Sequence, residues 1–326
     1  MLLVTGGAGF IGSNVVASLN EAGRADIVVN DVLGTDTKWR NLQKRRLADF
    51  VPPGELFRWL DGRKLDAVVH MGAISDTTAR DGDAVIDNNF RLSLRLLDWC
   101  TETRTPLIYA SSAATYGAGE QGFDDDNSPA ALARLKPMNL YGWSKQLFDL
   151  AVIERTAKGA KLPPQWAGLK FFNVFGPNEY HKGEMMSLLA KRFDDAKAGR
   201  PVVLFKSHRA GFADGDQRRD FVWVDDAVGV VRWLIDTPTV SGIYNVGTGR
   251  AESFRDLISS MFAALGRPEA IVYVDMPAAI RDSYQYFTRA SIENLRRAGY
   301  NAGFTHFKDA VKRYVKSYLD TADRYR

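Results

Sequence analysis

The sequence predicts a doubly wound α/β fold, a parallel sheet covered by helices on both faces with a smaller α/β portion appended, and three observations predict it. Short apolar runs alternate with longer helical patterns through the first half, the rhythm of strand–helix–strand crossovers. The first run, Leu2-Leu3-Val4-Thr5, passes directly into a glycine-rich turn and then an amphipathic helix. The 326 residues are about twice the ~150 of one domain, so a second lobe is expected.

Taken in order, residues 2–5, 26–30, 66–70, 106–110 and 168–172 read as strands. Between them, 10–22, 38–47, 84–103 and 140–158 space their apolar residues near 3.6 and have the length of crossover helices. The second half is less regular. Gly176-Pro177 opens a loop, 184–198 is helical by period, and a polar, Gly-containing stretch precedes Arg219-Asp220-Phe221-Val222. Residues 225–236 and 291–323 read as helices, 242–246 and 271–274 as strands. The division that follows assigns 1–172 and 218–247 to a dinucleotide-binding domain, and 173–217 and 248–326 to a substrate-binding domain.

Composition narrows the function. Hydrophobic residues are 45% and charged residues 25%, as in an ordinary globular chain. The 43 Lys+Arg against 39 Asp+Glu are scattered, so nucleic acid is not the expected partner. The single cysteine, Cys100, has no internal disulfide partner and sits in an apolar stretch. The first 20 residues carry no charge, but Gly6, Gly7, Gly9 and Gly12 interrupt them and no basic segment precedes them. No membrane association and no metal site are expected, and the location reads as cytoplasmic.

Gly6, Gly9 and Gly12, and in the alternative register Gly7, Gly9 and Gly12, satisfy dinucleotide-binding glycine patterns. The turn needs unusual dihedrals, the pyrophosphate must approach bare backbone, and the helix must pack tightly on its strand; the helix N-terminus then offers N–H donors to the phosphates. Asp31 ends the next strand, where a carboxylate accepts from the adenosine ribose and favours NAD. Lys38, Arg40, Lys44, Arg45 and Arg46 follow and can supply cations to a 2′-phosphate. Spacing alone leaves NAD and NADP both open.

Tyr141 and Lys145 stand at i and i+4 of a helix, so phenol and ammonium share one face. Ser111-Ser112 lie just past a strand end, where sheet topology puts active sites. For a Tyr to act as a base near neutrality its pKa must fall by about 3 units, or ~4 kcal/mol. One cation at ~4 Å in an effective dielectric of ~20 supplies about that much. The same Tyr/Lys spacing occurs by chance on many exposed helices; the glycine fingerprint and the strand-end serines make it a site.

These motifs, with Asp87-Asn88-Asn89, the string Tyr109 to Gly117, Phe172-Asn173-Val174-Phe175-Gly176-Pro177 and Tyr244-Asn245-Val246-Gly247-Thr248-Gly249, resemble the extended short-chain dehydrogenase/reductase family over nearly the whole length. The resemblance implies a Rossmann domain and, through the 109–117 string and His181-Lys182-Gly183, the branch that epimerises C6 of ADP-activated manno-heptose for lipopolysaccharide core. Dehydratases of the family carry Asp-Glu where this chain has Ala113 and Ala114. UDP-hexose 4-epimerases are the alternative.

The resemblance further implies NADP, with NAD second, ADP-heptose as substrate and a homo-oligomer, a homopentamer. Tyr141 is then one acid/base and Lys182 the second, Ser112 orients the reacting oxygen, and Lys145 binds the nicotinamide ribose. Cofactor contacts carried over by motif are Phe10, Ile11, Asp31, Lys38, Met71, Gly72, Ala73, Ser75, Asn88 and Val174. Substrate contacts are Ser112, Asn173, Phe205, Lys206, Ser207, His208, Arg219 and Tyr284. Glu184, Lys191 and a longer 208–218 stretch depart from the pattern, and Pro52-Pro53 replaces a further basic residue, which leaves NADP preference to Lys38.

Overall fold

The structure is a computed structural model that describes residues 1–281 and 284–326. Its strands are β1 (Leu2–Thr5), β2 (Ile27–Asn30), β3 (Asp49–Val51), β4 (Ala67–His70), β5 (Leu107–Ser112), β6 (Trp166–Phe171), β7 (Asn173–Phe175), β8 (Val202–Phe205), β9 (Arg218–Arg219), β10 (Phe221–Trp223), β11 (Gly242–Val246), β12 (Glu252–Ser253) and β13 (Ile271–Val274). Seven form one sheet in the order β11-β6-β5-β4-β1-β2-β3, parallel at every pairing. The doubly wound fold expected from the sequence is the fold observed.

Strand alternation builds both faces of this sheet. Leu2, Val4 and Val29 point to one side, against Val15, Val16 and Leu19 of the helix Phe10–Glu21 and Val228 and Val231 of the helix Val224–Asp236. Leu3, Val28 and Val68 point to the other, against Leu96 and Leu97 of the helix Leu92–Glu102 and Phe148 and Val152 of the helix Leu140–Ala157. A side chain of this kind gains about 1.5–3 kcal/mol on full burial, so a strand shifted by one residue would forfeit its whole set of contacts. A third cluster, including Phe175, Leu189, Phe193, Trp223, Phe262 and Tyr314, packs separately from these two, with the parallel pair β8/β13 contributing Val202, Leu204, Ile271 and Tyr273. No helix among the described residues is long and apolar enough to cross a membrane.

Three expectations need correction. Residues 38–47 are not a crossover helix: a 3-10 turn at Lys38–Asn41 is all that forms, since of the apolar residues in the stretch Trp39 is exposed and only Leu42 and Leu47 pack on the core. The short strand β3 follows, unheralded because Asp49-Phe50-Val51 is too brief for a periodic signal. The 291–323 helix is broken into Glu293–Arg297 and Phe307–Tyr314, which runs into a wide turn at Val315–Leu319; Gly299 and Gly303 lie in the gap, where glycine favours leaving the helix. The helix expected from 184 starts at Leu188, after Ser187 accepts a hydrogen bond from Ala190 N.

β1 has β2 on one side and β4 on the other, so successive crossovers run outward in opposite directions from it. A crevice opens there at the carboxyl ends of the strands, the usual ligand position in such sheets.

Candidate active site

The glycine turn leaves β1 into this crevice. Gly6 has φ +64°, and a Cβ on Gly12 would fall 2.1 Å from Gly6 O. The helix start therefore packs directly on the turn, and Gly6, Gly9 and Gly12 line the crevice as bare backbone, which is the cradle a pyrophosphate needs. Asp31 at the end of β2 accepts from Ala8 N at 2.8 Å and from Lys38 Nζ at 2.6 Å. Asn41, buried in the same 3-10 turn, donates to Ala8 O and Asn178 O and lies 3.2 Å from His181 Nδ1. The turn thus ties the glycine loop to the loop after β7.

A cleft of about 670 Å³ extends from this cradle. Gly6, Gly9, Phe10, Ile11, Gly12, Asp31, Lys38, Met71, Gly72, Ala73, Ser75 and Val174 line it, together with Ser112, Tyr141, Lys145, Asn173 and Lys182. Asn88 is outside the lining; it lies on the wide turn Asp87–Arg91 and donates to Asn89 Oδ1, while Asn89 bonds both backbone groups of Ile74.

Asn139 caps the helix of Tyr141 by accepting from Gly142 N at 2.8 Å. A Cβ on Gly142 would meet Ala114 O at 2.7 Å, so the helix start rests directly on the turn after β5. That contact places Tyr141 beside Ser112 in the lining of the same cleft. Burial pushes the Tyr141 phenol up, with Ser112 opposing and Asp149 reinforcing. Burial pulls Lys145 down to about 8, with Asp149 opposing. The lowering of the phenol expected from Lys145 is not seen: the net direction is up, and burial sets it.

Lys182 comes from the turn Tyr180–Met185, its ammonium 5.2 Å from the centre of the Phe10 ring. Burial lowers its pKa and Glu179 opposes that shift. Glu184 is 96% exposed and pairs with Lys191 at 3.0 Å. The carboxylate that acts on Lys182 is instead Glu179, buried and accepting from Ser187 N, Ser187 Oγ and Tyr314 Oη. Glu179 was not singled out in the sequence, since a lone acid in a loop carries no periodic or spacing signal, and His181 entered only within the His181-Lys182-Gly183 string, with no site role of its own. His181 lines the cleft and is held down to about 4 by burial, then by Lys38 and Lys182.

The remaining expected contacts form a second group next to the cleft. Arg219 is 7% exposed, its guanidinium 5.6 Å from the Phe254 ring and 5.4 Å from Tyr284. Phe254 also lines the cleft, and Phe205 meets Tyr284 edge-on. Arg219 has no carboxylate partner among the described residues, an arrangement that disfavours the free guanidinium and favours an anion beside it. Lys206 lies 3.5 Å from Asp275, Ser207 N donates to Asp214, and His208 N donates to Tyr286 Oη.

A family model described as the NAD dependent epimerase/dehydratase family matches residues 2–247. A Nitratidesulfovibrio vulgaris (strain DP4) protein named ADP-L-glycero-D-manno-heptose-6-epimerase is 48% identical, the comparison covering 100% of each chain. One of the same name from Fusobacterium nucleatum subsp. nucleatum is 45% identical, again over 100% of each. The crystal structure of the Helicobacter pylori ADP-L-glycero-D-manno-heptose-6-epimerase is similar with a TM-score of 0.78 at 27% identity, covering 97% of this chain and 95% of that one.

Proposed function

The chain belongs to the NAD dependent epimerase/dehydratase family, and from that premise we propose that it epimerises C6 of an ADP-activated manno-heptose, the sugar then serving lipopolysaccharide core. The observation that carries the proposal is two proton-transfer side chains from separate elements, Tyr141 and Lys182, lining one dinucleotide cleft. A simple dehydrogenase needs one such group. Inverting a carbinol requires hydrogen to leave one face and return to the other, so the sugar must turn and its oxygen then meets a second group.

The glycine cradle and Asp31 fit a nicotinamide dinucleotide, which when bound supplies the hydride acceptor and donor. NADP is the form proposed: Lys38 already sits on Asp31 at 2.6 Å, offsetting the carboxylate that would repel a 2′-phosphate. Tyr141 takes the proton of the C6 hydroxyl while Ser112 orients that oxygen; Lys145 holds a ribose hydroxyl and offsets the charge of the phenolate. Lys182 handles the proton on the other side, its lowered pKa bringing the neutral amine closer to working pH. Arg219, with no carboxylate partner among the described residues, takes the diphosphate. Ala113 and Ala114 after Ser112 hold no carboxyl to eliminate water, which argues against dehydration. The cofactor is assigned to 1–172 and 218–247, the sugar nucleotide to 173–217 and 248–326, and the setting is the cytoplasm, where the dinucleotide pool lies.

The test is turnover of each C6 epimer of ADP-manno-heptose by the purified protein, followed by NMR with no added reductant. Interconversion at constant mass supports the reading; turnover of UDP-hexoses alone, or net consumption of NADPH, overturns it.

A further inference from the structure

Beneath the cleft floor lies an ion pair that the proposed reaction does not use. Lys170 of β6 and Asp149 of the helix Leu140–Ala157 meet at 2.6 Å with both side chains at 0% exposure. Asp149 also accepts from Ser111 Oγ at 2.6 Å and Tyr109 Oη at 3.2 Å. Lys170 donates to Thr115 Oγ1 at 2.7 Å, and Thr115 Oγ1 donates to Ser112 O at 2.8 Å. Tyr141, Lys145 and Asp149 are successive i+4 positions on one helical face. These contacts outline a ring: from Ser112 through Thr115 and Lys170 to Asp149, and back along the helix to Tyr141, which lines the cleft together with Ser112.

A buried pair of this kind is a poor way to gain stability, because desolvating two charges offsets most of their attraction. Apolar side chains would fill the space at no loss. What the pair does supply is a fixed link between the strand end bearing Ser112 and the helix bearing Tyr141, and a fixed charge pattern behind the phenol. We propose that Asp149 and Lys170 are positioning residues, holding the Ser112–Tyr141 spacing and setting the charge balance under the reacting hydroxyl. The proposal deepens the functional reading and rests on Tyr141 as the acid/base.

The charge that acts on Tyr141 is Asp149 of its own helix, which also acts on Lys145 and is met by Lys170 from β6 and Tyr109 from β5; Lys145 in turn acts on His70 of β4, and Lys182 lines the same cleft. Removing Asp149 leaves cations in excess and favours the phenolate; removing Lys170 leaves a carboxylate unbalanced and disfavours it. In D149N the acid limb of the kcat/KM–pH profile should therefore move down by about one pH unit, and in K170M up by about as much. KM changes less than threefold while kcat falls at least tenfold in both. The double variant D149N/K170M leaves no lone buried charge, so it folds even where a single variant does not; its acid limb returns toward that of the unmodified protein while kcat stays low.

Limbs unmoved or moved the same way in both single variants, or full kcat in the double variant, overturn the proposal. Y141F measured alongside separates the two readings. Normal turnover in Y141F removes Tyr141 from the mechanism and the ring's function with it, whereas an inactive Y141F with unshifted limbs refutes the ring alone.

Discussion

Replacing Gly142 by alanine tests whether the contact between the helix start and the strand-end turn sets the active-site spacing. In an open helix the change would stabilise by up to about 1 kcal/mol. Here the new Cβ would stand 2.7 Å from Ala114 O, whereas ordinary contact begins at 3.4 Å, so helix and turn must part by roughly 0.7 Å. Neither neighbour yields easily, because Ala114 N is bonded to Ser112 Oγ and Gly142 N to Asn139. Overpacking costs about 1–3 kcal/mol, which outweighs the propensity gain and lowers Tm by a few degrees. The larger effect is kinetic. The separation falls between Tyr141 and Ser112, and a displacement near 1 Å costs on the order of 10²-fold in rate, so kcat should drop about 30- to 100-fold with KM nearly unchanged. Thermal melting and steady-state epimerisation measure both. A G142A protein with raised Tm and undiminished kcat would refute the reasoning, since it would mean that this contact does not govern the spacing.

Y141F and K145M should each lower turnover at least ~100-fold; a folded Y141F with near-normal rates would exclude the phenol. Extraction and chromatography should recover NADP from the purified protein, and K38A should weaken NADP more than NAD; recovery of NAD alone would sink the Lys38 assignment. K182M should abolish epimerisation while ADP still binds, and weakened ADP binding with normal saturating turnover would reassign Lys182 to phosphate. His70 is held down to about 3 by burial and then by Lys145, against ~6.5 unfolded. Because the unfolded chain takes up a proton that the folded one refuses, stability is lost as pH falls from ~6.5 toward 3, at up to about 1.4 kcal/mol per unit. Urea midpoints between pH 7 and 4.5 should therefore fall less in H70Q than in the unmodified protein.

What the sequence by itself determined is whatever repeats with a local period or sits at a short spacing. Leu2–Thr5 into Gly6 to Gly12 announced strand, turn and helix together, because the dihedrals and close approaches of that turn admit little else. Tyr141 and Lys145 were legible for the same reason, since four residues on a helix fix a shared face. Tertiary structure alone decided which distant charges meet. Asp149 lies 21 residues from Lys170, and only the packing of the helix onto β6 turns two unremarkable polar residues into a closed buried pair. The same holds for Glu179, whose charge acts on Lys182 where the adjacent Glu184 turns to Lys191, and for Arg219, whose aromatic neighbours Phe254 and Tyr284 come from separate segments of the chain. The 38–47 segment marks the boundary most clearly. Its cations were visible, but Lys38 pairs with Asp31 and Asn41 bridges two loops because only Leu42 and Leu47 of the stretch pack on the core, and the rest takes its conformation from the hydrogen bonds it makes with its surroundings.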